Sequence, residues 1–244
     1  MNKIAIATLV FAAAACGGDD AAKGTVNTTS AKTSVEQMGK INTSMSTGNG
    51  ANAASALQAL TSAGQSIVTP AGQAGRLVGL LPESFPRPDL SQAISGTAEC
   101  SATSCTFSNY GDNTTGSSWL INGTVSKGGD TTTFDITYNV TSAGATIDWK
   151  IDGAVTINAT TIDGNVHNHG VTDLAGGSNT QAIDVTWDTA TDYNAITLDA
   201  QGCATGGDVH ATVGYAVKTA GRGTSFNVQG GAKFGPACGT VTAN

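Results

Sequence analysis

Glutamate is almost missing from this chain. Of its 18 acidic residues only Glu36, Glu83 and Glu99 are Glu, and the rest are Asp. Glu suits helix interiors whereas Asp suits caps and turns, so the bias argues against a largely helical protein. Aromatic residues make up only 5% of the chain, which leaves Val, Ile and Ala to build most of any core. Cations are few as well: Lys and Arg total 11, and the formal net charge is −7. So acidic a chain is a poor partner for nucleic acid or for an anionic lipid surface. There is no Cys-x-x-Cys, no Gly-x-Ser-x-Gly and no phosphate-binding glycine loop. Nothing here argues for catalysis, and a non-enzymatic protein is expected. The apolar run Ile4 to Ala15 is too short to span a bilayer, which takes roughly 20 apolar residues.

That run is a secretory signal in its layout: a basic start at Lys3, an apolar stretch, then Ala13-Ala14-Ala15 as a small-residue exit. Cys16 follows directly, and the segment resembles a bacterial lipoprotein signal peptide, with Ala13 where that family usually has Leu. The resemblance implies cleavage before Cys16, a diacylglycerol on its sulfur and an acylated amine. A covalent lipid of this kind anchors stably without a further signal, and no other cofactor is expected. Gly17 stands where, in enteric bacteria, an Asp retains such proteins at the inner membrane, so the expected location is the outer membrane. Asp19 and Asp20 lie further along.

The remaining chain divides by pattern. Residues 16–30 carry the lipidated Cys and read as a flexible, small and polar tether. Residues 31–82 read as helical. Val35, Met38, Ile41 and Met45 form one apolar stripe, and Ala53, Ala56, Leu57, Leu60, Ala63 and Ile67 form a second beyond the Ser46-to-Gly50 break. Ala74 to Leu81 suggests a short third helix before the stiff Pro82, Pro86, Pro88 connector. Residues 97–244 then alternate with period two. Phe134, Ile136, Tyr138 and Val140 interleave with Asp135, Thr137 and Asn139, and Val209, Ala211, Val213 and Tyr215 behave alike. About nine antiparallel strands with one buried and one wet face are expected.

Inside this region Trp119-x-Ile121-x-Gly123-x-Val125 recurs as Trp149-x-Ile151-x-Gly153-x-Val155, and in part as Ile162-x-Gly164-x-Val166. A glycine in mid-strand on the apolar face leaves a hole or relaxes the strand into a bend, and aligned glycines let a sheet curl. The predicted fold is α+β, with the N-terminal helices packed on a large curved antiparallel sheet. A β-sandwich with peripheral helices is the alternative.

Without Cys16 four cysteines remain, and four allow three pairings. Cys100 and Cys105 flank Ser-Ala-Thr-Ser and suit a clip on one turn. Cys203 precedes a strand whose partner Cys238 follows, so these two would meet at the open end of a hairpin. The stretch from Gly202-Cys203 to Phe234-Gly235-Pro236-Ala237-Cys238-Gly239 resembles the closing hairpin of uncharacterised β-rich bacterial envelope lipoproteins.

His167 and His169 share one strand face and His210 also falls on a wet face. Three histidines are what an open tetrahedral zinc site requires, so they are the metal candidates, and no metal is expected. Asp152-Gly153 and Asp163-Gly164 lack the carboxylate spacing of a calcium loop. Trp119, Trp149 and Trp187 lie in register with Ile and Val and read as core rather than as sugar-stacking platforms.

Three function classes follow. The leading one is a lipid-anchored protein that binds an apolar ligand or envelope component under the curved sheet, a shape loosely similar to the half-barrel lipid carriers of the periplasm. The second is a structural or adhesive module presenting its wet face to a partner. The third, a metal hydrolase, needs His167, His169 and His210 to converge.

Overall fold

The computed structural model describes residues 21–70, 95–114, 117–142, 145–174, 183–219 and 222–244. Cys16, the expected third helix and the Pro82–Pro88 connector lie outside them. The chain begins with β1 (Ala22–Lys23), β2 (Thr25–Val26), α1 (Thr28–Ser46), α2 (Gly50–Ser66) and β3 (Val68–Thr69). Nine longer strands follow: β4 (Ser95–Ser101), β5 (Ser104–Thr114), β6 (Ser117–Gly128), β7 (Thr131–Ser142), β8 (Ala145–Ile157), β9 (Thr161–Leu174), β10 (Ile183–Leu198), β11 (Ala204–Thr219) and β12 (Arg222–Phe234). A short β13 (Val241–Ala243) ends the fold.

Asn27 caps α1, its side chain accepting from the Ser30 N–H at 3.1 Å, and Asn49 caps α2 by accepting from Asn52 at 3.0 Å. Between them Gly48 takes a φ of +69°. Its N–H donates to the Met45 carbonyl, and the Asn49 N–H to the Ser44 carbonyl. This paired arrangement satisfies the last carbonyls of α1 and turns the chain back. Val35, Met38, Ile41 and Met45 of α1 are buried, as are Leu57, Leu60 and Ile67 of α2.

Strands β4 to β12 form a meander in which each pairs antiparallel with the next. β1 joins β12 in parallel and β13 joins it antiparallel, completing an 11-stranded sheet that is open rather than closed. The sandwich alternative is thereby excluded: the long strands lie in one sheet, and the second sheet is only the β2–β3 pair. Within the expected tether of residues 16–30, the described residues are structured. Residues 22–26 pair as β1 and β2, and Thr28 already begins α1 because Asn27 supplies the cap.

One face of the sheet is buried and its apolar residues join those of both helices in a single cluster, which holds Met38, Ile41, Leu57 and Leu60 with Trp149, Ile151 and Val213. α2 rests on this face with Gly64 against Asn168 and Thr191. At the edge, a Cβ on Gly50 would run into the Ala98 backbone of β4. The helix turn thus covers an otherwise unpaired strand edge, where further pairing would start.

The two ends of the sheet differ. At one end β4 turns into β5, β6 into β7, β8 into β9 and β10 into β11. Both disulfides sit there: Cys100–Cys105 inside the first turn and Cys203–Cys238, with Cα atoms 5.6 Å apart, tying the β10–β11 connection to the segment after β12. Lys127 also donates to Asn42 of α1 at 2.8 Å on this stapled end. The opposite end carries all three tryptophans, with Tyr138, Tyr215 and Phe226.

Candidate functional site

Cross-strand register assembles the aromatic end. Tyr138 pairs with Trp149, Trp149 with Gly170, Gly170 with Trp187, Trp187 with Tyr215, and Tyr215 with Phe226. One transverse row therefore crosses six strands, β7 to β12, and Trp119 adds to it from β6. The ring centroids of Trp119 and Tyr138 are 5.8 Å apart, those of Tyr138 and Trp149 5.3 Å, and those of Trp149 and Trp187 5.9 Å at an interplanar angle of 78°. Edge-on and tilted contacts at these distances are the favourable ones for rings. Trp149 and Trp187 close over the gap at Gly170, where a Cβ would collide with the Trp187 indole. Glycine is needed there because an aromatic neighbour uses its space.

The belt is buried yet not satisfied. Trp119, Trp149 and Trp187 are 5%, 4% and 3% exposed, and none of their indole N–H groups has a hydrogen-bond partner. Asp112, paired with Trp119 across the β5–β6 ladder, keeps one buried carboxylate oxygen without a partner as well. One row toward the stapled end, Asn168 and Thr189 face each other in register, and the Asn168 Oδ1 and Thr189 Oγ1 are unpartnered too. Buried polar groups are ordinarily paired, and an unmade bond costs about 1–3 kcal/mol. Several orphans on one patch of one face are a chemical feature, since an indole N–H donates and accepts nothing. Burial pushes the Tyr215 phenol up to about 12. Burial also raises Tyr193, and the Ser34 hydroxyl of α1 beside it works against that rise.

The glycines of the Trp-x-Ile-x-Gly repeat do not leave ligand space. Gly153 and Gly164 have φ of +136° and +138°, and a Cβ on either would strike the neighbouring strand's backbone, at Asn165 and Ala154 respectively. Close approach of the strands fills the positions that sequence suggested were open.

The cysteines fall where their spacing indicated, in the pairs Cys100–Cys105 and Cys203–Cys238. The histidines do not converge. His167 lies opposite Asp152, His169 opposite Asp188, and His210 opposite Asp192, all on the wet face. Among the described residues, the metal-type side chains with ligand atoms within 4.8 Å of one another are Asp199, Cys203 and Cys238. Both sulfurs are bonded to each other, and the Asp199 carboxylate already accepts from the N–H groups of Gln201 and Cys203. No zinc hydrolase geometry results.

A cavity of about 250 Å³ opens at the stapled end, between Lys32, Val35 and Glu36 of α1 and the Cys203–Cys238 bridge, with Phe234 in its wall. Lys32 and Glu36 form an exposed pair at 3.8 Å, an interaction worth little. This cavity is separate from the belt and holds no concentration of unpartnered groups.

The three tryptophans are buried in the core, as their register with Ile and Val indicates. The repeat does not set the two tryptophans Trp119 and Trp149 level: Trp119 pairs with Val140 and Trp149 with Tyr138, so Trp119 stands two residues closer to the sheet end. Among the described residues no helix is long and apolar enough to cross a membrane. No protein-family model, curated protein or solved structure matches this chain.

Proposed function

We propose that this is a non-enzymatic lipoprotein, anchored through Cys16 at the outer membrane, whose aromatic belt binds an apolar chain bearing a hydrogen-bond acceptor. The observation that carries the reading is the set of three buried, unpartnered indole N–H groups on one aromatic patch. A site of mainly aromatic walls with a few convergent polar groups is the usual composition of a small-molecule site. The polar groups define the ligand class: an acyl chain with an ester or carboxyl oxygen fits donors set among rings.

The belt lies beneath a curled sheet in this proposal. α1 touches β4 toward one edge and β11, β12 and β13 toward the other. A flat sheet would set β4 and β12 about 38 Å apart at roughly 4.8 Å per strand. A helix of 19 residues is only about 28 Å long at 1.5 Å per residue. A curled sheet lets one helix reach both. The regular Asp, Thr and Asn display on the wet face favours the adhesive module as the second reading.

The test is to purify the full-length protein from its own membrane, extract it with organic solvent and weigh the released lipids. Acyl lipid in stoichiometric amount, lost in a Trp149→Phe, Trp187→Phe double variant, is the expected result. Lipid-free wild-type protein, or equal lipid in the variant, contradicts the proposal.

A further inference from the structure

We infer that the aromatic end of the sheet faces the membrane and the stapled end points away from it, so that the partner of this end is the lipid surface itself. The inference rests on the anchoring reading of Cys16 and adds an orientation that anchoring alone does not supply. β1 carries it. Ala22 pairs with Val228 and Lys23 with Gln229 in parallel. The Gly24 N–H donates to the Gln229 carbonyl at 2.9 Å, and the Gln229 side-chain amide donates to the Ala21 carbonyl at 3.3 Å. The chain is thus pinned to β12 from Ala21 to Gly24.

Direction follows from the pairing. β12 runs from Arg222 at the aromatic end to Phe234 at the stapled end, and a parallel β1 runs the same way. Ala21 therefore lies on the aromatic side of Ala22, and entry of the chain from that end is part of the inference. Six residue steps separate Cys16 from Ala22, and a chain spans at most about 3.6 Å per step, which limits the anchor to about 20 Å from Ala22. Phe226, the end of the aromatic row, lies only two residues from Val228, whereas Phe234 lies six residues beyond it in the other direction. With so short a leash, acyl chains of the supporting bilayer lie within reach of the belt, and the turn ends with the disulfides are held outward.

The experiment uses the full-length lipidated protein on phosphatidylcholine vesicles that contain a nitroxide-headgroup lipid. A fluorescent amino acid is placed at Ser225 or at Lys233, both exposed on β12 and near its two ends. Several-fold stronger quenching at Ser225 than at Lys233 is expected, and a long Gly-Ser insertion between Asp19 and Asp20 should erase the difference. Equal quenching at the two positions, or stronger quenching at Lys233, overturns the orientation while leaving the anchor intact. Failure of the wild-type protein to bind vesicles, or unchanged binding of Cys16→Ser, overturns the anchor and the orientation with it.

Discussion

The two ends of the buried face differ in their staples and in where the tryptophans stand. Toward the stapled end Phe107, Phe134 and Tyr193 are buried among aliphatic residues such as Val125, Val155 and Val209, in one cluster with the apolar stripes of α1 and α2. Two disulfides and the Lys127–Asn42 contact close it from outside. At the other end six rings of an aromatic-poor chain, Trp119, Tyr138, Trp149, Trp187, Tyr215 and Phe226, gather in and beside one row, and neither disulfide is near. Both ends keep buried polar atoms without partners, Thr132 and Thr191 among them toward the staples, but the unpaired indole donors are gathered at the aromatic end. On the proposed reading, the difference separates what holds this fold from what it offers to a ligand.

The strongest way to break the comparison is at the helix–sheet contact. Leu57 is fully buried, and truncating such a leucine to Ala costs about 2–5 kcal/mol. Leu57→Asp adds an unpaired buried charge and should abolish the cooperative thermal transition. A Leu57→Asp protein that melts normally would show that the helices are peripheral.

Next in size is the Cys203–Cys238 bridge, whose closed loop of 35 residues contributes about 4 kcal/mol by loop-closure entropy. Cys203→Ser with Cys238→Ser should lower denaturant stability by that order without moving the tryptophan emission maximum, because the bridge sits at the far end. A shifted maximum would mean that the ends are not independent.

Alkali probes the aromatic end. Tyr215 titrates near 10 when unfolded and at about 12 when folded. Below pH 10 both states hold the proton and its contribution is complete. As pH rises from about 10 to about 12 the unfolded state loses its proton first, so stability falls, by about 2–3 kcal/mol for two units. Denaturant melts at pH 9 and pH 11.5 should show the fall, and Tyr215→Phe should reduce it. An unchanged fall in Tyr215→Phe would assign it to another group.

The smallest effect on stability is the most informative about function. Trp149→Phe removes an unpartnered donor, a gain of about 1–3 kcal/mol, and loses ring volume at a comparable cost. Its melting temperature should therefore stay near wild type while acyl-chain binding weakens. Equal losses in both would make Trp149 merely a core residue.

Much of this fold was legible in the sequence because burial writes its period into the chain. Val35 to Met45 and Leu57 to Ile67 announced two helices, and Phe134 to Val140 announced a strand, since each has one apolar face. Cys203 and Cys238 were readable as a pair because they bracket a hairpin. The start of the ordered chain was not, because β1 and β2 are two-residue strands fixed by pairing to β12 and β3 rather than by any pattern of their own. The belt was not readable either. Alternation says that Trp119, Trp149 and Trp187 are buried but not that register brings them together, and a missing acceptor has no sequence signature at all. The glycines misled for a related reason: Gly153 and Gly164 serve a backbone conformation and a close strand approach, which look the same in sequence as a gap in the packing.

Tryptophan fluorescence tests the central claim most directly, because the three indoles are themselves the proposed site. Delipidated full-length protein should be titrated with a fatty acid brominated along its chain, alongside the same acid without bromine. Saturable quenching by the brominated acid alone, with weaker affinity in Trp149→Phe, is the predicted result. Bound brominated acid, verified by equilibrium dialysis, with tryptophan emission unchanged would place the ligand elsewhere and contradict the account.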